Sequence, residues 1–206
     1  IWSYETGSSE APEGVHSVAI SADGEYIAAG SYDNKVYLFD KDSSTPLWSY
    51  ETGGDVDAVA ISTDGQYIVA GNGYADKKIY FFDKDSSTPL WNYTPGDFVG
   101  SVAISADGEY IVAAANEVYL FEKDSNETLW NASGGSSVAI SADGEYIVAG
   151  SSLFHKDSST PIWTSTVGHM RGISADGEYI VGNWGSEVYL WSKDNSTPLW
   201  NYTVGS

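Results

Sequence analysis

The fifteen residues SVAISADGEYIVAGS at 137–151 recur in altered form from Ser17, Ala58, Ser101 and Arg171, and no other feature constrains the fold as tightly. The Asp-Gly pairs that mark the copies, at Asp23, Asp64, Asp107, Asp143 and Asp176, are spaced 41, 43, 36 and 33 residues apart. A period near ~40 is the length of one four-stranded propeller blade. A linear β-solenoid is the alternative, and its coils are usually much shorter.

One full unit, Ser17 to Gly53, divides into four short strand-like runs. The first, SVAIS, is small-sided, as suits an inner strand crowded by its neighbours, and its ADGE turn puts Gly24 where a positive φ is wanted. The second, YIAAG, ends in an Asp-Asn turn. The third, KVYLFD, is apolar on both faces, with Val36 and Leu38 on one and Tyr37 and Phe39 on the other, so it must be covered on both sides. The fourth, PLWSYE, starts at Pro46, which is tolerated at a strand end or exposed edge. No unit carries a sustained helical period. A sheet with two apolar faces needs a neighbour on each side, which is why the unit repeats. The expected fold is therefore all-β: a five-bladed β-propeller of four-stranded antiparallel blades, closed into a disc around a central channel. It forms a single domain over 1–206, with repeats at about 14–53, 54–96, 97–133, 134–167 and 168–206, and residues 1–7 as an extra outer strand.

The half-unit KVYLFDKDSSTPLWSYETG resembles the repeat of quinoprotein-type (PQQ-like) propellers, in which a VYALD-type strand leads through a turn to Trp and then Thr-Gly. The half-unit VAISADGEYIVAGS is similar to WD-repeat and surface-layer propeller repeats, with their hydrophobic-Ser-x-Asp-Gly hairpin. The resemblance covers essentially the whole chain and implies architecture more than activity, because these propellers host unrelated functions. The Trp-Asp dipeptide never occurs, and the Gly168-His169 pair appears once. The redox residues of quinoprotein dehydrogenases, which resemble larger eight-bladed discs with adjacent cysteines, have no counterparts in a chain without Cys.

Composition removes several functions. Acidic residues outnumber basic ones 29 to 9, for a formal charge of −20, so nucleic acid and anionic membranes are repelled. Arg171 is the one arginine, and the bidentate fork that reads phosphate is nearly absent. The acid excess equally serves solubility. Without Cys there is no disulfide framework, thiolate metal site or cysteine nucleophile. No apolar run approaches the ~20 residues of a membrane helix. The chain begins inside a repeat, at IWSYETG, without initiator Met or signal peptide, and is expected to be a fragment or a processed product.

Two places break the pattern. Trp2, Trp48, Trp91, Trp130, Trp163 and Trp200 mark six fourth strands for five sets of the other three, so one is surplus. A spare strand edge is a template for pairing with another molecule. In the fourth unit the run from Tyr146 to Leu153 is short, which predicts a nearly two-residue hairpin turn at Ser151–Ser152.

Candidate chemistry is sparse. Most of the 8 Trp and 15 Tyr fall at repeat positions and read as blade packing. Trp184 has no counterpart in the other units and is the first choice for an exposed contact, followed by Tyr32 and Tyr74. The DKDSS turns at Asp40–Ser44 and Asp83–Ser87 offer oxygens but lack the Gly and distal Glu of a calcium loop, so Asp capping of the backbone is expected. His16, His155 and His169 lack companions at ligand spacing and read as surface or loop residues, so no metal is expected. No serine sits in a nucleophile elbow, no glycine-rich loop precedes a helix, and no catalytic residue or cofactor is assigned. Five of the nine Asn stand in N-x-[S/T] sequons: Asn92, Asn126, Asn131, Asn195 and Asn201. Three of these follow a fourth-strand Trp, and strand alternation points them away from it.

These features predict a non-enzymatic structural or recognition module of a secreted or cell-surface protein. Its expected partner is another protein or a second copy, engaged through the spare edge strand as in a surface layer or filament. A carbohydrate-binding propeller with repeated sites is the alternative.

Overall fold

A computed structural model describes residues 1–7 and 14–205. The twenty strands form five separate four-stranded antiparallel sheets, each built from strands consecutive in the chain. Blade 1 is β1 (Val15–Ile20), β2 (Tyr26–Ser31), β3 (Lys35–Asp40) and β4 (Trp48–Glu51). Blade 2 is β5 (Val56–Ile61), β6 (Tyr67–Asn72), β7 (Ile79–Asp83) and β8 (Trp91–Tyr93). Blade 3 is β9 (Ser101–Ile104), β10 (Tyr110–Ala114), β11 (Glu117–Glu122) and β12 (Thr128–Ser133). Blade 4 is β13 (Val138–Ile140), β14 (Tyr146–Ala149), β15 (Ser152–His155) and β16 (Trp163–Thr164). Blade 5 is β17 (His169–Ile173), β18 (Tyr179–Trp184), β19 (Glu187–Ser192) and β20 (Trp200–Thr203). The protein is an all-β five-bladed propeller, and the first strands of successive blades pack side by side from β1 to β17.

The third strands of blades 1 to 4 are buried on both faces, as their apolar alternation requires, with Val36, Leu38 and Phe39 at most 4% exposed, whereas in blade 5 Val188 and Leu190 are only half-buried. Each hairpin between first and second strands closes through its Ser and Asp. In blade 1, Ser21 Oγ donates to Asp23 Oδ1 (2.6 Å) and accepts from the Tyr26 amide (3.0 Å). Gly24 completes that turn at φ +75°, a conformation that costs glycine little. In blade 4 the turn is Gly150–Ser151, one residue earlier than the sequence suggested, because Ala149 pairs with Ser152 and Gly150 takes the positive φ.

The core consists of seams between blades, and one construction recurs in all four. Apolar residues of the second and third strands of one blade meet apolar residues of the first three strands of the next: Ala28, Val36 and Leu38 pack with Val59, Ile68 and Phe82 across the first seam. At the rim, the fourth-strand Trp donates its indole N–H to a lysine carbonyl of the following blade: Trp48 to Lys84, Trp91 to Lys123, Trp130 to Lys156 and Trp163 to Lys193, at 2.6–2.7 Å. In the Asp-Gly turns, an amide of one blade donates to the carbonyl of the next: Ala22 to Thr63, Thr63 to Ala106, Ala106 to Ala142 and Ala142 to Ala175. Tyr26, Tyr67, Tyr110 and Tyr146 lie over Gly65, Gly108, Gly144 and Gly177 of the following turn, so closely that any β-carbon there would clash.

Of the expected circle, the described residues show these four seams. Among the described residues, no core cluster joins blade 5 to blade 1. Val18 of β1 is 66% exposed where its equivalents Val59 and Val138 are 8% and 6%, and Val181 of β18 is 43% exposed where Val69, Val112 and Val148 are buried. Residues 1–6 form no ladder, yet they occupy the outer position of a fourth strand ahead of blade 1. Trp2 donates to the Lys41 carbonyl at 2.7 Å and stacks on Phe39, while Tyr4 packs edge-on to Tyr37 and Phe39.

Candidate functional site

Links and turns of three successive units converge on a cleft of about 740 Å³. Blade 1 supplies His16 from β1 and Tyr32 from the turn after β2. Blade 2 supplies Asp55 and Asp57 at the start of β5 and Tyr74 from the turn after β6, and the link into β9 supplies Phe98. Backbone bonds hold these segments together: Tyr32 N to Gly14 O (3.0 Å), Gly73 N to Asp55 O (2.8 Å) and Val99 N to Asn72 O (2.9 Å). Gly73 lies against the Asp57 carboxylate, so closely that a β-carbon there would make that side chain shift.

Two aromatic pairs wall the cleft. His16 stacks on Tyr32 with ring centroids 4.7 Å apart, and Tyr74 packs on Phe98 at 4.6 Å. Between them lie two carboxylates, and among the described residues neither makes an ion pair. Burial, with a smaller contribution from the Asp55 charge, raises the Asp57 carboxyl above the ordinary range, and nearby His16 opposes this. Burial and the same two carboxylates push the Tyr32 phenol upward. A concave aromatic site with unneutralised negative charge attracts cations, through the ring faces as well as the carboxylates.

Tyr32 and Tyr74, singled out as exposed aromatics, thus share one cleft, with Tyr74 the more exposed at 71%. Trp184, 58% exposed, lies elsewhere. It packs on His169 at 5.0 Å beside a separate hollow of about 220 Å³ in blade 5. Asp55, Asp57 and Phe98 were missed in the sequence. Phe98 was the available signal, being the only phenylalanine outside the third strands and their counterparts.

The five sequon asparagines are all exposed. Asn92, Asn131 and Asn201 lie on β8, β12 and β20, and Asn126 and Asn195 in the turns before the last two of these strands. Asn201 Nδ2 donates to Glu187 Oε1 at 2.9 Å. The DKDSS turns cap themselves, with the amides of Asp42 and Asp85 donating to Asp40 and Asp83 Oδ1 at 2.8 and 2.9 Å. His155 lies between Glu145 (3.1 Å) and Asp157 (3.4 Å). Among the described residues, no group of three His, Cys, Asp or Glu side chains is placed to hold a metal ion.

The family model for PQQ-like repeats, described as outer membrane protein assembly factor BamB, matches residues 1–202. No curated protein matches the chain. With five sheets of the repeat and a match over nearly its whole length, the chain belongs to this PQQ-like propeller family.

Proposed function

We propose that this chain is a non-enzymatic recognition module of a secreted or cell-surface protein, and that its ligand is a basic segment of a partner protein whose lysine or arginine side chain enters the cleft of blades 1–3. The observation that carries this reading is the unpaired Asp55–Asp57 set between two stacked aromatic pairs. The chain's charge of −20 would steer a basic partner toward it. The family's description names an assembly factor. A quinone carrying carboxylates does not fit here, because the cleft is itself lined by carboxylates and offers no lysine or arginine to receive them. The exposed sequons support passage through a secretory route, which mass spectrometry of native protein tests by finding or not finding glycan on the five asparagines.

Titration calorimetry with lysine- and arginine-rich peptides at low salt tests the ligand class. We predict binding that Asp55→Asn and Asp57→Asn each weaken about tenfold, the size expected for removing one close charge partner. Binding indifferent to both substitutions, or none at low salt, refutes the reading. The outward-facing ring of Tyr74 favours one second reading, a saccharide stacked on it. A glycan-array hit abolished by Tyr74→Ala, without peptide binding, would select that alternative.

A further inference from the structure

The cleft of blades 1–3 takes part of its lining from one position of the repeat, used three times. His16, Asp57 and Gly100 align in Val15-His16-Ser17, Val56-Asp57-Ala58 and Val99-Gly100-Ser101, and all three line the cleft. In blades 1 and 2 this position is a β-bulge. Val15 pairs with Ser31 and Ser17 with Gly30, which leaves His16 over; Val56 pairs with Asn72 and Ala58 with Gly71, which leaves Asp57 over. An extra residue bends its strand and re-aims the side chain. The first strands of two neighbouring blades thus turn a ring and a carboxylate into one hollow, where the third blade, with Gly100, adds no side chain.

Asp55 and Asp57 stand on either side of Val56, which is wholly buried in the seam, so both carboxylates lie on the face of the chain turned away from that core. Same-face positions of an extended chain are about 6–7 Å apart. The two also differ in depth, Asp55 being exposed and Asp57 half-buried. Burial is the chief influence on the Asp57 carboxyl, and no hydrogen bond from a described residue offsets it. Beside them the Tyr74 ring, packed on Phe98, keeps most of its surface free.

These features discriminate between the two cations that a protein segment can offer. A lysine ammonium is a compact, strongly hydrated point charge, and setting it beside a half-buried carboxylate removes water that flat aromatic walls do not replace. A guanidinium is more weakly hydrated and stacks face-on against rings. It also donates from separate edges, so it can serve two carboxylates set several ångströms apart. The one arginine of this chain does not fill the role, because Arg171 lies on β17 and donates to Asn183 Oδ1 at 3.0 Å.

We propose that the cleft selects arginine over lysine, with the guanidinium bridging Asp55 and Asp57 and lying against the Tyr74–Phe98 wall. The inference rests on the reading of the cleft as a site for a basic segment of a partner protein, and adds which side chain that segment presents.

Calorimetry at low salt tests it with three peptides of equal length and charge, in which Gly-Ser pairs alternate with arginine, with lysine or with dimethylarginine. Methylation keeps the charge and blocks the paired donors. On the unaltered chain we expect the arginine peptide to bind about tenfold more tightly than the lysine peptide, the size of one further charge-assisted hydrogen bond. The dimethylarginine peptide should bind like the lysine one. Asp55→Asn removes one of the two acceptors and Tyr74→Leu removes the ring, and each should bring the arginine-to-lysine ratio close to one. Lysine binding as tight as arginine binding overturns the inference while leaving a cationic ligand in place; no binding by any of the three refutes both. Dimethylarginine binding as tight as arginine overturns the bridge. So does an arginine preference that both substitutions leave intact, because it then arises elsewhere on the acidic surface. Should a variant lose its β-sheet circular dichroism, the three peptides on the unaltered chain decide.

Discussion

Ser141 shows how much a single residue of this repeat does. It is buried, its hydroxyl donates to Asp143 Oδ1 at 2.5 Å, and the same oxygen accepts the Tyr146 amide at 3.0 Å. Replacing it with Ala leaves both groups without this partner, and we predict a loss of roughly 1–3 kcal/mol in urea unfolding. The Ser141 hydrogen bond is also the main cause that lowers the Asp143 carboxyl below its ordinary range. A lowered carboxyl contributes stability above the unfolded pKa of about 4, and loses it as pH falls through the folded value. Ser141→Ala should therefore flatten the acid side of the stability profile. Asp57 has the opposite sign: its carboxyl is raised, chiefly by burial, so it takes up a proton earlier on acidification than an ordinary carboxylate. Peptide binding in the cleft is accordingly predicted to begin fading on acidification earlier than an ordinary carboxylate would cause, and Asp57→Asn should remove that part of the pH dependence in calorimetry. The Ser-x-Asp-Gly turn was readable from its letters, because all of its partners lie within five residues. The packing of Tyr26 on Gly65 was not, because it crosses a seam.

The fourth strand behaves differently where a further blade lies beyond it and where none does. Trp48 donates its indole to the Lys84 carbonyl and packs on Phe82, whereas Trp200, at the same place in blade 5, has neither partner. We predict that Trp48→Phe costs about 1 kcal/mol, the net worth of one hydrogen bond, while Trp200→Phe costs close to nothing in the dilute monomer. Parallel urea melts of the two variants check this, and equal losses would mean that Trp200 has found an acceptor in the isolated chain. Strand identity was legible, since alternation and turn residues act within an element. The cleft was legible only in pieces. Tyr32 and Tyr74 stood out as exposed aromatics, but nothing in the linear order joins them to Asp57 or Phe98, which arrive from other units once the seams have formed.

At the scale of the molecule, five near-identical units become unequal because each depends on its neighbours. Repetition disclosed the number of blades and their construction. It could not disclose whether the last meets the first, since that depends on a small rotation at every seam that no single unit encodes. Stability should then follow the nearest-neighbour rule of repeat proteins. Leu153 of β15 and Leu190 of β19 hold equivalent positions, yet Leu153 is wholly buried against blade 5 while Leu190, facing the open end, is only half-buried. Leu153→Ala should cost about 2–5 kcal/mol, as for a full core truncation, and Leu190→Ala far less, because much of its surface is already in water. Blade 5 has one seam where blades 2, 3 and 4 have two, so its amides should open at lower free energy and exchange hydrogen faster than theirs. Protection of blade 5 that is high and independent of concentration would instead require a partner for its open face within the same chain.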